Sequence, residues 1–170
     1  MAIKKIQYYV EGECEKKLID EIKKSPYYQI RAGKVTVFNF INNEIENDRI
    51  ALLDPKTIII LVYDIDIDSI DILYRNVKKL ETMKFKVVHI QSIRNFEDEI
   101  VYSTSLNDIN DMFNTQSKKE FKKEFLRQKD LMSKLKKVNF DHKLIWTRTN
   151  DKKPFCVFSS KKDLDFIKEK

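Results

Sequence analysis

The stretch that most constrains the fold is an apolar run over residues 58–63, which ends in an acid at every second position, Asp64, Asp66 and Asp68. The run is rich in β-branched side chains and has no polar break, which is typical of a strand buried on both faces. Such strands belong to parallel sheets, and in open parallel α/β sheets ligands lie beyond the carboxyl ends of the strands. The sequence therefore predicts that Asp64 and Asp66 emerge at a ligand-binding edge.

Strand and helix patterns alternate on both sides of this run. Strands are predicted over residues 3–10, 34–41, 57–63 and 85–90, and helices over residues 13–24, 69–83 and 96–103, with a weakly helical segment over 44–53. This alternation predicts an α/β fold, with about four parallel strands sandwiched by helices and right-handed crossovers.

The chain is expected to consist of a core of residues 1–104 and a basic, mainly helical C-terminal extension of residues 105–170 packed on it. Within the extension, Ser117 and Glu120 form a capping-box pattern that predicts one long helix to about residue 137. Residues 144–146 are interpreted as a short strand or packing segment, with Trp146 in the core rather than stacked on a base. A short terminal helix is expected over residues 163–168.

The two ends of the chain differ in charge. Residues 1–117 contain 16 Lys and Arg against 19 Asp and Glu, a net charge of −3, whereas residues 118–170 contain 17 against 8, a net charge of +9. An acidic body followed by a basic region favours a polyanionic partner, most simply nucleic acid. A solubilising surface from a lysine-rich genome would give the same pattern. The candidate contacts to a nucleic-acid backbone are Lys118, Lys122, Lys143, Arg148, Lys152 and Lys153.

Several classes of protein are not favoured. No stretch approaches the roughly 18 apolar residues that a membrane span needs, and the N-terminus lacks a signal-peptide pattern. Cys14 and Cys156 are the only cysteines, and they indicate neither a disulfide framework nor a Cys-based zinc site. These features predict a cytoplasmic protein without a membrane partner.

Acids follow three of the predicted strands. If Glu11, Asp64, Asp66 and Glu97 close neighbouring strands of one parallel sheet, they lie along the same edge, and Glu15 adds an acid in the first turn of the first helix. Such a cluster would repel itself without cations. Mg²⁺ or Mn²⁺ bound by carboxylate oxygens are the natural counterions. The cluster therefore predicts metal-assisted phosphoryl transfer.

Simpler interpretations stand beside this one. The three alternate acids do not open a calcium loop, because Ser69 and Arg75 occupy the positions that need Gly and Glu. They could instead form a solvated strand end whose isoleucines point inward. Glu11 and Glu15 could be acids that stabilise a helix N-terminus, and Glu97 could be a surface capping residue.

The motifs themselves resemble a known family. Residues 10–15, Val-Glu-Gly-Glu-Cys-Glu, are similar to the first motif of the Toprim domain, and residues 62–66, Val-Tyr-Asp-Ile-Asp, are similar to its Asp-x-Asp motif. Toprim domains occur in topoisomerases, primases, a ribosomal-RNA maturing ribonuclease, recombination mediators and OLD-type nucleases, including stand-alone proteins of phage defence. The Glu-Gly-x-x-Glu form is closest to that of the OLD-type nucleases. Residues 96–97 resemble a later acidic motif of the same nucleases. The similarity covers roughly residues 3–104.

The resemblance implies roles for these acids. Mg²⁺ would be held by Asp64 and Asp66, and Glu11 would match the catalytic glutamate, acting as general acid or base or as a metal ligand. Glu15 stands where topoisomerases usually carry Asp and joins the catalytic set, while Glu97 would be a further ligand. Many Toprim domains have a small or glycine-containing turn after Asp-x-Asp. This chain departs from that pattern, so that Asp68 could replace or supplement a usual ligand.

The function expected from these features is Mg²⁺- or Mn²⁺-dependent hydrolysis of DNA or RNA phosphodiesters. A second hypothesis is a non-catalytic nucleic-acid-binding or interaction component of a phage-defence or mobile-element system on a Toprim-like scaffold. A third is primase-like nucleotidyl transfer. The sequence leaves open whether the protein needs a protein partner or forms a homodimer.

Overall fold

The apolar run lies at the centre of a parallel sheet. In the computed structural model, which describes residues 5–24, 26–27, 29–66, 68–149, 153–158 and 161–168, four strands pair in the order β2-β1-β3-β4, all parallel. They are β1 (Ile6–Val10), β2 (Lys34–Val37), β3 (Ile58–Asp64) and β4 (Lys86–Ser92). The predicted α/β fold with a parallel sheet of about four strands is confirmed.

Helices connect the strands and extend beyond the last one. They are α1 (Glu13–Ile22), α2 (Asn47–Ala51), α3 (Asp71–Thr82), α4 (Phe96–Tyr102), α5 (Lys118–Arg127), α6 (Leu131–Lys137) and α7 (Lys161–Lys168), with 3₁₀ turns at Ile109–Met112 and Phe155–Phe158. None of the helices in the described ranges has the length and apolar character that crossing a membrane requires.

The sheet is covered by helices on both faces, because alternate residues of a strand point in opposite directions. Ile60 and Val62 of β3 pack with α1, α4, α5 and α6, on what we call the first face. Leu61 and Tyr63 pack with α2 and α3 on the second face. The expectation that helices sandwich the sheet is therefore confirmed.

The C-terminal third contributes side chains to both faces. Phe121 and Phe125 of α5 are fully buried on the first face, and Phe155 is fully buried on the second. At the outer edge of the sheet, the backbone N–H of His89 in β4 donates to Asp163 Oδ2 of α7 at 2.8 Å. The extension thus completes the core on both faces.

The structure corrects the prediction of one long helix over residues 118–137. Gln128 is extended, with φ −62° and ψ 124°, and the helix ends at Arg127. A second helix begins after Asp130, whose side chain accepts a hydrogen bond from Ser133 N at 3.0 Å. Lys17 Nζ of α1 donates to Leu126 O at 2.6 Å, so the free carbonyl at the end of α5 gains a partner from another helix. Side-chain capping and a tertiary contact therefore override local helix propensity.

The strand interpretation of residues 144–146 is also wrong, whereas the packing interpretation is confirmed. The segment is a turn in which Ile145 and Trp146 are buried. Trp146 has φ 62°, in the left-handed region that a strand cannot contain. Its expected place in the core, rather than on a base-stacking surface, is confirmed by an exposed fraction of 5%.

The order of the strands creates a reversal between β1 and β3. The chain winds from β1 through α1 on the first face to β2, and from β3 through α3 on the second face to β4, in opposite directions along the sheet. Where the winding direction changes, the two crossover helices leave a crevice at the carboxyl ends of the strands. The topology therefore places the ends of β1 and β3 at the position where such folds bind ligands.

Candidate acidic active site

Glu11 and Asp64 meet at this reversal. Glu11 directly follows β1, Asp64 is the last residue of β3, and the register pairs Val10 with Val62. The backbone N–H of Asp64 donates to Glu11 Oε2 at 3.0 Å. Together they border a cleft of about 270 Å³, whose lining residues are Glu11, Gly12, Glu13, Cys14, Glu15, Asp64, Lys122 and Leu126.

Glu15 reaches the same cleft from α1, where it also helps to cap the helix. Gly12 precedes the helix and has no side chain to cap it. Glu15 folds back so that the backbone N–H groups of Glu15 and Gly12 stabilise its carboxylate, although burial dominates and raises its pKa. A Cβ on Gly12 would lie only 3.0 Å from Glu15 Oε2, since the carboxylate packs against the glycine. Glu15 can therefore stabilise the N-terminus of α1 and line the cleft at the same time.

The negative charge of the acids in the cleft exceeds the positive charge that the described residues around it supply. Burial raises the pKa of Glu11 to about 7; the Asp64 N–H opposes this shift, while the charges of Glu15 and Asp66 add to it. Burial likewise raises the pKa of Asp64 to about 8, with repulsion from Glu11 and Glu15 adding to the effect. At neutral pH the acids therefore retain a proton or require a cation.

The two outer strands contribute polar residues that the sequence reasoning missed. Asn39 follows β2, and its side chain favours the ionised form of Glu11. Ser92 ends β4 opposite Asp64 and is fully buried. Its hydroxyl and Asp64 Oδ1 are both buried without a hydrogen-bond partner among the described residues, yet the Ser92 side chain lies close enough to favour the ionised carboxylate. The sequence signal that could have identified both residues is a polar side chain at or just after the end of each strand.

Glu97 is not a surface capping residue. Its side chain is only 4% exposed, and it forms an ion pair with Lys122, with 3.0 Å between Lys122 Nζ and Glu97 Oε1. The cap of α4 is Asn95, whose side chain accepts from Asp98 N at 3.0 Å. Partial burial acts to lower the pKa of Lys122, but the carboxylates of Glu97 and Glu15 outweigh it and raise that pKa. The cleft thus contains a cation supplied by the extension.

Asp66 and Asp68 lie outside the lining of the cleft. Both residues are exposed, although the charge of Asp66 still reaches Glu11. The interpretation of a solvated strand end fits these two acids and not Asp64, which is half-buried and has one fully buried oxygen. Ile65 points inward as that interpretation expects, with an exposed fraction of 4%; Ile67 lies outside the described residues.

The predicted nucleic-acid contacts occupy different surroundings. Arg148 Nη2 donates to Glu99 Oε1 at 2.6 Å and to Ile93 O at 3.0 Å, and its guanidinium lies over the Tyr102 ring. Its donors are therefore partly engaged within the protein. The side chains of three other candidates are exposed, and these are Lys118, Lys143 and Lys153. Lys152 lies outside the described residues.

Whether these acids fit a metal ion depends on the kind of ion. Among the described residues, no three His, Cys, Asp or Glu side chains are arranged to hold a metal together. Mg²⁺, however, keeps several waters and commonly takes only one or two protein carboxylates together with substrate phosphate. The contact between Glu11 and Asp64, the excess negative charge and the buried Asp64 Oδ1 fit this open kind of site.

Comparison of the chain with known proteins gave no match. No protein-family model matches the chain, and no curated protein or solved structure matches it either. The four-stranded parallel α/β fold thus follows from the strand order of this chain. The resemblance to the Toprim domain stays a prediction based on two sequence motifs.

Proposed function

We propose that the protein is a Toprim-like nuclease that hydrolyses DNA or RNA phosphodiesters with Mg²⁺ or Mn²⁺. The observation that carries this proposal is the meeting of Glu11 and Asp64 at the reversal of strand order, in a cleft whose acids lack sufficient compensating charge. A volume of about 270 Å³ is slightly below the range of small-molecule pockets, which is roughly 300–1,000 Å³. It suits a hydrated ion and a phosphate group better than a large organic ligand.

The residues of the cleft have separable roles in this proposal. Glu11, whose pKa of about 7 is near the working pH of the cell, is suited to move a proton as general acid or base. Asp64 and Asp66 would hold the ion, which supplies charge neutralisation and orientation of the phosphodiester. Asn39 would favour the ionised form of Glu11, and Ser92 that of Asp64, in each case against the larger effect of burial.

The charge of α5 supports a polyanionic substrate. Lys118, Lys119 and Lys123 are exposed on this helix, while Lys122 and Leu126 of the same helix line the cleft. A nucleic-acid backbone that follows these lysines would pass next to the acids. Binding should therefore weaken steeply as salt rises, since phosphate contacts release counterions.

The ion pair of Glu97 favours a second candidate, a nucleic-acid-binding protein without turnover. In that case Lys122 would neutralise the buried acid permanently, and no metal would be needed. Primase-like nucleotidyl transfer remains a third possibility that requires the same acids. Product analysis separates the three.

The test uses the purified full chain with labelled single- and double-stranded DNA and RNA, in Mg²⁺, Mn²⁺ or chelator. Asp64→Asn removes one charge from the cleft with little change in shape, and Asp48→Asn removes one from an exposed position on α2. We expect metal-dependent cleavage that falls about 10²–10³-fold in Asp64→Asn and is unchanged in Asp48→Asn.

Other results would exclude the proposed active site or favour one of the two other candidate functions. Full cleavage by Asp64→Asn would exclude this cleft as the active site. Binding that survives in chelator, with no product under either ion, would favour the non-catalytic candidate. Incorporation of nucleoside triphosphates into a longer product would favour nucleotidyl transfer.

A further inference from the structure

The ion pair between Lys122 and Glu97 is unequal in its exposure to solvent. The Glu97 side chain is 4% exposed, whereas the Lys122 side chain is 54% exposed and comes from the basic extension. Among the lining residues that belong to the described part of the chain, only Lys122 has a positive charge. The acid is fixed in the fold, and the cation is on a flexible stem that water already reaches.

This asymmetry determines which partner can be exchanged. A buried carboxylate needs a cation nearby, because it cannot recover its hydration. An ammonium on a four-carbon chain can swing to another anion at small cost, since half of its side chain is already solvated. Lys122 therefore serves Glu97 as a counterion that the fold supplies but does not enclose.

We propose that Lys122 is an exchangeable counterion, whose ammonium moves from Glu97 to the phosphodiester backbone when a nucleic acid binds. The acids are then free to bind a divalent cation instead. The inference rests on the proposed function, because it assumes that the cleft accepts both a phosphodiester and a metal ion. One ammonium cannot neutralise Glu97 and a phosphate at the same time. Nucleic acid and metal therefore bind cooperatively, each raising the affinity of the other by the same factor.

Coupling of this kind has a specific consequence for variants of Lys122. Without the ammonium, a divalent ion meets no competitor at Glu97, so Lys122→Gln should bind the metal more tightly when nucleic acid is absent. The same variant should lose the cooperativity, because nothing remains to be exchanged. Lys122→Arg keeps the charge, and Lys123→Gln removes an exposed neighbouring charge on the same helix that does not line the cleft.

The experiment measures binding rather than turnover. Mn²⁺ binding to the full chain without nucleic acid is followed by the electron paramagnetic resonance signal of the free ion. The affinity for a fluorescein-labelled phosphorothioate oligonucleotide, as DNA and as RNA, is followed by anisotropy in Mn²⁺ and in chelator at constant ionic strength. The oligonucleotide resists cleavage, so that both measurements report equilibria.

For the native chain, we expect the oligonucleotide to bind about tenfold more tightly with Mn²⁺ than with chelator, a factor typical of coupled sites. Lys122→Gln should bind Mn²⁺ about tenfold more tightly and show little coupling, whereas Lys122→Arg and Lys123→Gln should keep it. Equal or weaker Mn²⁺ binding by folded Lys122→Gln would overturn the inference, while leaving the nuclease proposal intact if the native chain cleaves. A native chain that neither binds Mn²⁺ nor cleaves would overturn both.

A second variant covers the case in which Lys122→Gln does not fold because Glu97 is left buried and unpaired. Glu97→Gln removes the charge that holds Lys122 in the ion pair, so that the ammonium becomes available to the oligonucleotide. Oligonucleotide binding in chelator should therefore tighten more in Glu97→Gln than in Asp98→Asn. Asp98 is a matched control, since it lies on the same helix and its side chain is 28% exposed. Equal effects of the two variants would overturn the inference.

Discussion

Two carboxylates on the first face of the sheet, the fully buried Glu99 and the half-buried Asp64, have opposite surroundings. Glu99 is fully buried and accepts hydrogen bonds from Ile93 N at 2.8 Å, from Trp146 N at 3.0 Å and from Arg148 at 2.6 Å. Asp64 has a buried oxygen with no hydrogen-bond partner among the described residues, and acids for neighbours. Burial alone therefore does not mark a functional acid; a shortage of donors and cations around it does.

The largest expected effect is on Glu99. Glu99→Ala leaves the partly buried Arg148 guanidinium and two backbone N–H groups without their acceptor, so unfolding free energy should fall by about 3–5 kcal/mol. Denaturant unfolding followed by circular dichroism measures the change. Asp64→Asn should cost little or stabilise the fold, since it removes repulsion. If both substitutions cost the same, the distinction between the two carboxylates fails.

An intermediate effect is expected from pH. The folded-state pKa values of Glu11, about 7, and Asp64, about 8, lie above the ordinary value of about 4 for such groups. Through these two acids the folded state binds more protons than the unfolded state between about pH 4 and pH 8, so their contribution to stability falls as pH rises. Burial lowers the pKa of His89 to about 4, which has the opposite effect below its ordinary value of about 6.5. Without divalent ions, we therefore expect a loss on the order of 2 kcal/mol from pH 6.5 to pH 8.5.

Urea unfolding across that range, with and without Mg²⁺, checks this expectation. Asp64→Asn should flatten the profile, and Mg²⁺ should restore stability mainly at the alkaline end, where the acids are charged. Stability that rises with pH in the chelated protein would contradict the excess of negative charge inferred for the cleft.

The smallest effect concerns Ser92, whose side chain favours the ionised form of Asp64, as the backbone N–H of Phe96 also does. Ser92→Ala should change stability by about 1 kcal/mol or less, but weaken Mn²⁺ binding about tenfold, as losses around metal ligands commonly do. Ser103→Ala is the matched control, because Ser103 is also buried and donates to Glu99 O at 2.7 Å, away from the cleft. Calorimetric titration with Mn²⁺ distinguishes them, and equal Mn²⁺ affinities would remove Ser92 from the site.

Much of the fold could be predicted because its signals are local. The uninterrupted apolar run over residues 58–63 requires a strand covered on both faces, and it is covered by helices on both. A parallel sheet aligns its carboxyl ends, so acids after strands were expected to meet. Glu11 and Asp64 do lie together, whereas Asp66 and Asp68, on the same alternating pattern, remain exposed.

The rest depends on tertiary contacts that composition does not encode. In the sequence, Glu97 and Glu99 are nearly equivalent members of one acidic run, yet one pairs with a half-exposed lysine and the other with a guanidinium and backbone donors. Lys122 is likewise indistinguishable from Lys118 and Lys123 until α5 is placed beside α1. The break at Gln128 was hidden for the same reason, since a lysine of another helix satisfies the end of α5.

The hydrogen bond between Asp163 and the backbone of His89 changes what the edge of the sheet offers to another strand. β4 is an edge strand, and unpaired N–H groups on such a strand can recruit a strand from another molecule. The side chain of Asp163 occupies one of these donors at 2.8 Å. A strand from another molecule that paired at this position would first have to displace the carboxylate of Asp163. The final described helix therefore makes the edge of β4 less available to a second strand.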